Sequence, residues 1–238
     1  MKKVFFIGAG PGDPDLITVK GLALLEDADV VLYTGSLVNP DLINRSRAPL
    51  KVDSHGMPLM AQIDLMEREV KADRRVVRLH SGDPSLYGAI VEQIAALAER
   101  DIGAEVIPGV SSLFGAAAAL RTQLTLSGVS DTLIVTRPAG KTLKSDMLPE
   151  LSRLGTTMAI FLGTERLGEV LSRLECAPGT PAAVVYHASW EDQKIVRGTV
   201  EDIAEKAREA GIVRTALLLV GGVVDPETSG FRRSVLYS

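Results

Sequence analysis

Short apolar runs alternate along the first half of the chain with stretches whose apolar residues recur at helical spacing. Val4–Ile7 reads as a strand and Val19–Glu26 as a helix; Val30–Tyr33 is a strand and Met60–Lys71 a helix. Val76–His80 is again a strand, and Tyr87–Arg100 a helix with apolar positions at Ile90, Ile94 and Leu97. Ala104–Ile107 follows as a strand, then an alanine-rich helix over Ser112–Leu120. Strands joined by helices in this rhythm predict a mostly parallel sheet, because parallel neighbours need crossover connections that cover both faces.

The second half keeps the alternation but changes its spacing. Thr132–Thr136 and Thr157–Leu162 read as strands separated by a helix around Asp146–Leu154, and a helix over Arg166–Leu174 leads to a strand at Ala182–Tyr186. Lys194–Gly198 alternates weakly and is expected to pair antiparallel with its neighbour. Val200–Ala210 is an amphipathic helix and Thr215–Val220 a closing strand, so a mixed sheet is predicted here. The polar, glycine-containing stretch Thr122–Ser130 is the candidate linker. The expected architecture is α/β with two α/β domains, 1–121 and 122–238. Small-molecule sites often form at such junctions.

Composition narrows the function classes. The 238 residues carry a formal net charge of −4, which argues against a nucleic-acid-binding surface, since phosphate neutralisation needs clustered cations. No apolar run approaches the roughly 18 residues of a membrane span, and no signal-peptide pattern precedes the first strand, so a cytoplasmic location is expected. The single Cys176 excludes an internal disulfide and a cysteine metal cluster. His55, His80 and His187 lack zinc-type spacing, and no metal site is expected.

Three strand-to-turn segments carry the candidate chemistry. The first is Gly8-Ala9-Gly10-Pro11-Gly12-Asp13-Pro14, directly after the first strand. A Gly-x-Gly here is the opening of a dinucleotide-binding loop, but Pro11 and Pro14 remove amides that a phosphate would need. The following strand also ends Tyr33-Thr34, with no acidic residue for a ribose. The second segment is His80-Ser81-Gly82-Asp83-Pro84-Ser85-Leu86-Tyr87-Gly88, and the third is Pro108-Gly109-Val110-Ser111-Ser112. Asp83 suits a hydrogen bond to a ribose or amino group and equally a helix N-cap; Ser111 and Ser112 serve equally as caps. No serine–histidine–aspartate order accompanies them, which weakens a hydrolase reading.

Together these segments resemble a family. Gly8 to Gly21 is similar to the N-terminal signature of the tetrapyrrole (uroporphyrinogen-type) methylases, and Val76 to Gly88 with Pro108-Gly109 to their second signature. The resemblance runs over essentially the whole chain. Val31–Val38, Thr136–Thr142 and Val185–Val196 most resemble the branch that methylates precorrin-4 at C-11 in cobalamin biosynthesis. It implies a class III S-adenosyl-L-methionine-dependent methyltransferase, a homodimer with the cofactor in a cleft between two α/β domains and S-adenosyl-L-homocysteine as product. Carried over by position, cofactor contacts come from Pro11, from Ser81, Gly82, Asp83 and Leu86, and from Ser111 and Ser112. Leu162, Tyr186, His187, Ala188 and Ala216 complete the set. Periodicity alone makes Leu162 and Ala216 core residues; only the resemblance promotes them.

The acceptor implied is a small-molecule corrin precursor rich in acetate and propionate carboxylates, metal-free or carrying cobalt. Arg45, Arg47 and Lys51 form one candidate cationic cluster for it, and Arg137, Lys141 and Lys144 another; solvated surface charge is the plain alternative for each. The sequence singles out no base: Tyr87, Tyr33, His55 and Asp83 qualify on type and position only. Trp190 is a buried aromatic by default and a stacking partner otherwise. Other acceptors (precorrin-2, uroporphyrinogen III, a diphthine precursor, ribosomal RNA), a dinucleotide-dependent oxidoreductase and a non-catalytic tetrapyrrole carrier are the competing readings.

Overall fold

The structure is a computed structural model that describes residues 2–140 and 143–233. The chain divides into two compact units, Met1–Ser112 and Leu113–Ser238.

In the first unit the elements run β1 (Lys3–Gly8), α1 (Val19–Glu26), β2 (Val30–Tyr33), α2 (Pro40–Arg45), β3 (Leu50–Asp53), α3 (Leu59–Lys71), β4 (Val76–His80), α4 (Ile90–Ala98) and β5 (Gly103–Ile107). The sheet order is β3-β2-β4-β1-β5, and every pairing is parallel. Phe5, Ile7, Val31, Val77 and Leu79 face one side, where Leu25 of α1 and Leu42 and Ile43 of α2 cover them. Val4, Phe6, Val30, Leu32 and Val76 face the other, under Ile63 and Met66 of α3 and Leu97 of α4. Burial on both faces is why these strands read as unbroken apolar runs.

Two elements here escape the apolar pattern. Strand β3 lies at the sheet edge with Lys51 and Asp53 exposed and Leu50 and Val52 half-buried, so it alternates too briefly to stand out. Helix α2 starts with Asn39 accepting the Asp41 amide and Pro40 in its first turn, a start signal without a long periodic tail. Helix α4 begins at Ile90 and not at Tyr87, because Tyr87 (φ 56°) and Ala89 (φ 49°) are left-handed.

The second unit holds α5 (Ser112–Leu120, whose first residue belongs to the first unit), β6 (Leu133–Thr136), α6 (Leu148–Ser152), β7 (Thr157–Ile160), α7 (Leu167–Ser172), β8 (Pro181–Tyr186), β9 (Lys194–Thr199), α8 (Ile203–Glu209), β10 (Ala216–Val220) and α9 (Pro226–Ser229). Its sheet order is β6-β7-β10-β8-β9, parallel between β6 and β7 and antiparallel elsewhere, including the β8–β9 pair. Leu113, Ala116, Ala117 and Leu120 of α5 pack on Ala159, Ala183, Val185, Leu217 and Leu219. Alanines at this contact let helix and sheet approach closely, and Arg197 of β9 closes the end of α5 by donating to the Leu120 carbonyl at 2.7 Å. The unit boundary therefore falls before the alanine-rich helix and not after it. The opposite face packs on α6, α7 and α8 through Leu148, Leu167, Val170, Leu171, Ile203 and Ala207. No helix among the described residues is long and apolar enough to cross a membrane.

Candidate functional site

In the first unit, the glycine turns meet at the carboxyl ends of β4, β1 and β5, where parallel sheets receive ligands. They are tied to one another by backbone. The Ala9 amide donates to the His80 carbonyl at 2.7 Å; Gly10 donates to Gly82 at 3.2 Å and Gly82 returns a bond to Gly10 at 2.8 Å. The contact is too close for side chains: a Cβ on Gly109 would lie 2.3 Å from the Gly82 oxygen, and one on Gly8 would lie 2.5 Å from the Gly109 Cα. Gly82 has room for a Cβ, but its φ of +63° favours glycine for a different reason.

Asp83 is the pin of this knot. One carboxylate oxygen accepts the Ser85 amide at 2.8 Å and the Ser85 hydroxyl, and the other accepts the Gly109 amide at 2.8 Å. Burial pulls its pKa up, but these bonds outweigh it and hold the carboxyl below its ordinary range. The knot buries Pro11, Gly82 and Ser111, half-buries Leu86 and Ser112, and leaves Ser81 and Tyr87 exposed. The amides of Ala9, Gly10, Gly82 and Gly109 are already donated within the knot, and Pro11 and Pro14 have none. Those four amides are withdrawn from any phosphate, whereas an uncharged ribose or a cationic sulfonium demands no pyrophosphate donor set. The residues present fit a sulfonium nucleoside better than a dinucleotide.

Next to the knot, at the ends of β2, β3 and β4, lies a polar group that sequence reasoning passed over. Arg78 is only 4% exposed, and its NH2 donates to Thr34 Oγ1 at 2.9 Å and its Nε to Gln93 Oε1 at 3.3 Å. Burial draws its pKa down to about 10, with Asp53 pulling the other way. His80, two residues along and stacked on Phe6, is pushed down to about 3 by burial and by the Arg78 charge. The signal was available: a cation and an imidazole inside the run Val76–His80 need partners once that strand is buried.

In the second unit, Tyr186, His187, Ala188 and Ala216 are adjacent by register, since Tyr186 pairs with Ala216 across β8 and β10. Three rings follow one another: Tyr186 on His187 at 3.8 Å and His187 on Trp190 at 5.0 Å. Asp192 fixes the imidazole through Nδ1 at 2.9 Å. Burial, reinforced by Asp192, pushes the Tyr186 phenol up. Leu162 is left-handed (φ 57°) and 67% exposed, and His187 (φ 46°) and Ser189 (φ 69°) are left-handed as well. Non-glycine residues pay for that conformation, and such strain gathers at functional positions. Leu162 is thus not the core residue its periodicity suggested. Ala216, half-buried, offers its carbonyl to the Thr164 hydroxyl at 2.7 Å.

The remaining candidates scatter. Arg45 is spent on the first turn, donating to the Pro14 carbonyl at 3.3 Å and to Asp15 at 2.5 Å. Arg47 and Lys51 are exposed. Arg137 is half-buried and Lys144 exposed; Lys141 lies outside the described residues. Tyr33 ends β2 with its carbonyl accepting from Ser54, and exposed His55 lies against Gly35 on the same loops. Neither is brought to the knot.

Comparison with known proteins finds relatives by sequence and by fold. A family model described as tetrapyrrole (corrin/porphyrin) methylases matches residues 3–204. The chain is 50% identical over 232 residues to the cobalt-precorrin-4 C(11)-methyltransferase of Methanocaldococcus jannaschii, covering 95% of this chain and 90% of that one. It is 45% identical over 238 residues to the precorrin-4 C(11)-methyltransferase of Pseudomonas aeruginosa, covering 98% and 94%. Among solved structures, the X-ray structure of a cobalamin biosynthetic enzyme, cobalt precorrin-4 methyltransferase, is similar with a TM-score of 0.91 at 42% identity, covering 94% of this chain and 97% of that one. A uroporphyrin-III C-methyltransferase from Thermus thermophilus, complexed with S-adenosylhomocysteine, is similar with a TM-score of 0.78 at 29% identity, covering 94% of each chain.

Proposed function

Because the chain belongs to the tetrapyrrole (corrin/porphyrin) methylases, we propose that it is a methyltransferase that transfers a methyl group from S-adenosyl-L-methionine to C-11 of precorrin-4, in the metal-free or the cobalt-loaded form. The observation that supports the choice of cofactor is the knot's spent amides, which are withdrawn from a pyrophosphate while a nucleoside sulfonium does not call on them. Relatives named for both forms of the acceptor support C-11 of precorrin-4 over precorrin-2 or uroporphyrinogen III.

The cofactor supplies an electrophilic methyl group already activated by its sulfonium charge. The chain's own part is alignment and exclusion of water, and alignment of reacting atoms is worth about 7–11 kcal/mol. Pro11, Ser81, Gly82, Asp83, Leu86, Ser111 and Ser112 in the first unit would hold the nucleoside, with Asp83 acting mainly by keeping the knot closed. In the second, Leu162, Tyr186, His187, Ala188 and Ala216 would do so, Leu162 as an exposed apolar surface and the ring-bearing turn as a rigid wall. Tyr87, at the edge of the knot, remains the candidate to receive a substrate proton. Two copies per particle is the expected assembly.

Calorimetry should show binding of S-adenosyl-L-homocysteine and none of NAD. Incubation with both forms of precorrin-4 and labelled donor should give a product one methyl heavier, substituted at C-11. Binding of NAD alone, or product from precorrin-2 with none from either precorrin-4, overturns the reading.

A further inference from the structure

The polar group beside the knot holds an imbalance of charge and protons. Arg78 sits in the middle strand of a five-stranded parallel sheet, and its NH1 is buried without a hydrogen-bond partner. No ion pair reaches it among the described residues. The carboxylate that it feels, Asp53, already accepts the Gly35 and His55 amides, each at 2.8 Å. A buried cation left uncompensated is costly, and an anion arriving nearby relieves that cost.

The hydroxyl protons can be accounted for one by one. Ser54 Oγ gives its single proton to the Tyr33 carbonyl at 2.8 Å, so toward Thr34 it can only accept, across a long 3.4 Å contact. Thr34 Oγ1 meanwhile accepts from the Arg78 guanidinium at 2.9 Å. Among the described residues the Thr34 proton therefore has no acceptor at good distance, and its residue is half-buried at the open end of the sheet. A hydroxyl whose oxygen accepts from a cation is polarised into a stronger donor.

We propose that the Thr34 hydroxyl donates a hydrogen bond to a peripheral carboxylate of the acceptor macrocycle, and that Arg78 is the positioning residue behind it. Arg78 orients Thr34 through its NH2 and lends the site a positive field, while Gln93, whose amide donates to the Ala89 carbonyl, accepts from the guanidinium and holds it in place. The site adjoins the knot in the same sheet, which puts the acceptor over β2 and β3 and the donor over β1, β4 and β5. This rests on the methyl-transfer reading above.

Steady-state kinetics of Thr34→Val and Thr34→Ser with both forms of precorrin-4 decides it, with S-adenosyl-L-homocysteine affinity measured in parallel. Losing a hydrogen bond to a charged partner should lower acceptor kcat/KM about tenfold to a hundredfold in Thr34→Val, mainly through KM. Thr34→Ser should return to within about threefold of wild type, and homocysteine-nucleoside affinity should stay within about twofold in both. Adding Arg78→Lys to Thr34→Val should then cost less than about a further threefold, because the two act as one unit. Normal kinetics in Thr34→Val, equal damage in Thr34→Ser, or lost nucleoside affinity would each overturn the proposal while wild-type activity keeps the methyltransferase reading intact. A wild-type chain that methylates neither form sinks both. Should the Arg78 variant fail to fold, the two Thr34 variants still separate these outcomes.

Discussion

The two units build their candidate positions by opposite means. In the first, backbone meets backbone: Gly8 and Gly109 approach each other and the Gly82 carbonyl so closely that neither has room for a side chain, and Asp83 pins the result. In the second, bulky residues adopt a conformation that they resist. Leu162 and His187 are left-handed, and a stack of rings with Asp192 at its edge steadies the turn. The first arrangement is rigid because nothing larger can enter it. The second is rigid only as far as its packing compensates for backbone strain, so substitutions should fail steeply in one unit and gently in the other.

The steepest effect belongs to Gly109→Ala. Its Cβ would stand 2.3 Å from the Gly82 oxygen and 2.7 Å from the Gly8 Cα, both backbone atoms with no slack. We expect a loss of about 3 kcal/mol or more in urea unfolding. Gly82→Ala meets only ordinary contacts, the nearest 3.6 Å from Ser111 Cα, and should lose about 1–2 kcal/mol for its left-handed backbone. Equal losses would mean that the close approach is not what holds the turns.

A second effect separates the units by pH. His80 is buried with Nε2 unpartnered, and its folded pKa of about 3 lies below the ordinary 6.5. Between those values the unfolded chain binds a proton that the folded chain refuses, so stability falls as pH drops from about 6.5 toward 3. The slope approaches 1.4 kcal/mol per pH unit at most. Unfolding midpoints between about pH 5 and 6.5, above the carboxylate range, should show the slope in wild type and lose it in His80→Phe, whose ring keeps the stack on Phe6. An unchanged slope would remove His80 as its source.

The gentlest effect is expected at Leu162→Asn. The side chain is 67% exposed, so little buried area is lost, and asparagine tolerates the left-handed region better than leucine. Stability should stay within about 0.5 kcal/mol of wild type, while affinity for S-adenosyl-L-homocysteine falls several-fold. If both properties hold steady, Leu162 is an idle surface residue. A large stability loss would show that the strained turn is a core element after all.

The contrast also explains what could be read from residues alone. Parallel strands buried on both faces announce themselves as apolar runs, and glycines packed against glycines have few substitutes, so the first sheet and its three turns were legible. Strand β3 was not, because at a sheet edge Leu50 and Val52 alternate with Lys51 and Asp53 over only four residues. Strain at Leu162 and His187 leaves no trace in residue type, since neither residue prefers the conformation it adopts. Arg45 looked like a partner of Arg47 and Lys51, but α2 turns it back onto the first loop, where Pro14 and Asp15 take it. Arg78 was visible as a lone cation in an apolar run; its importance emerged only when the fold showed which protons were left over.

The reciprocal bonds between Gly10 and Gly82, and the Asp83 bond to Gly109, join stretches that are far apart along the chain. Such contacts form only after long loops have closed, and they add nothing until β1 has neighbours on both sides. During synthesis, the segment up to Ser81 can make helices and local turns, yet it has no pocket to offer. Ligand affinity cannot begin before Gly109 has emerged and β5 has docked, so nucleoside binding requires that the first unit has finished folding.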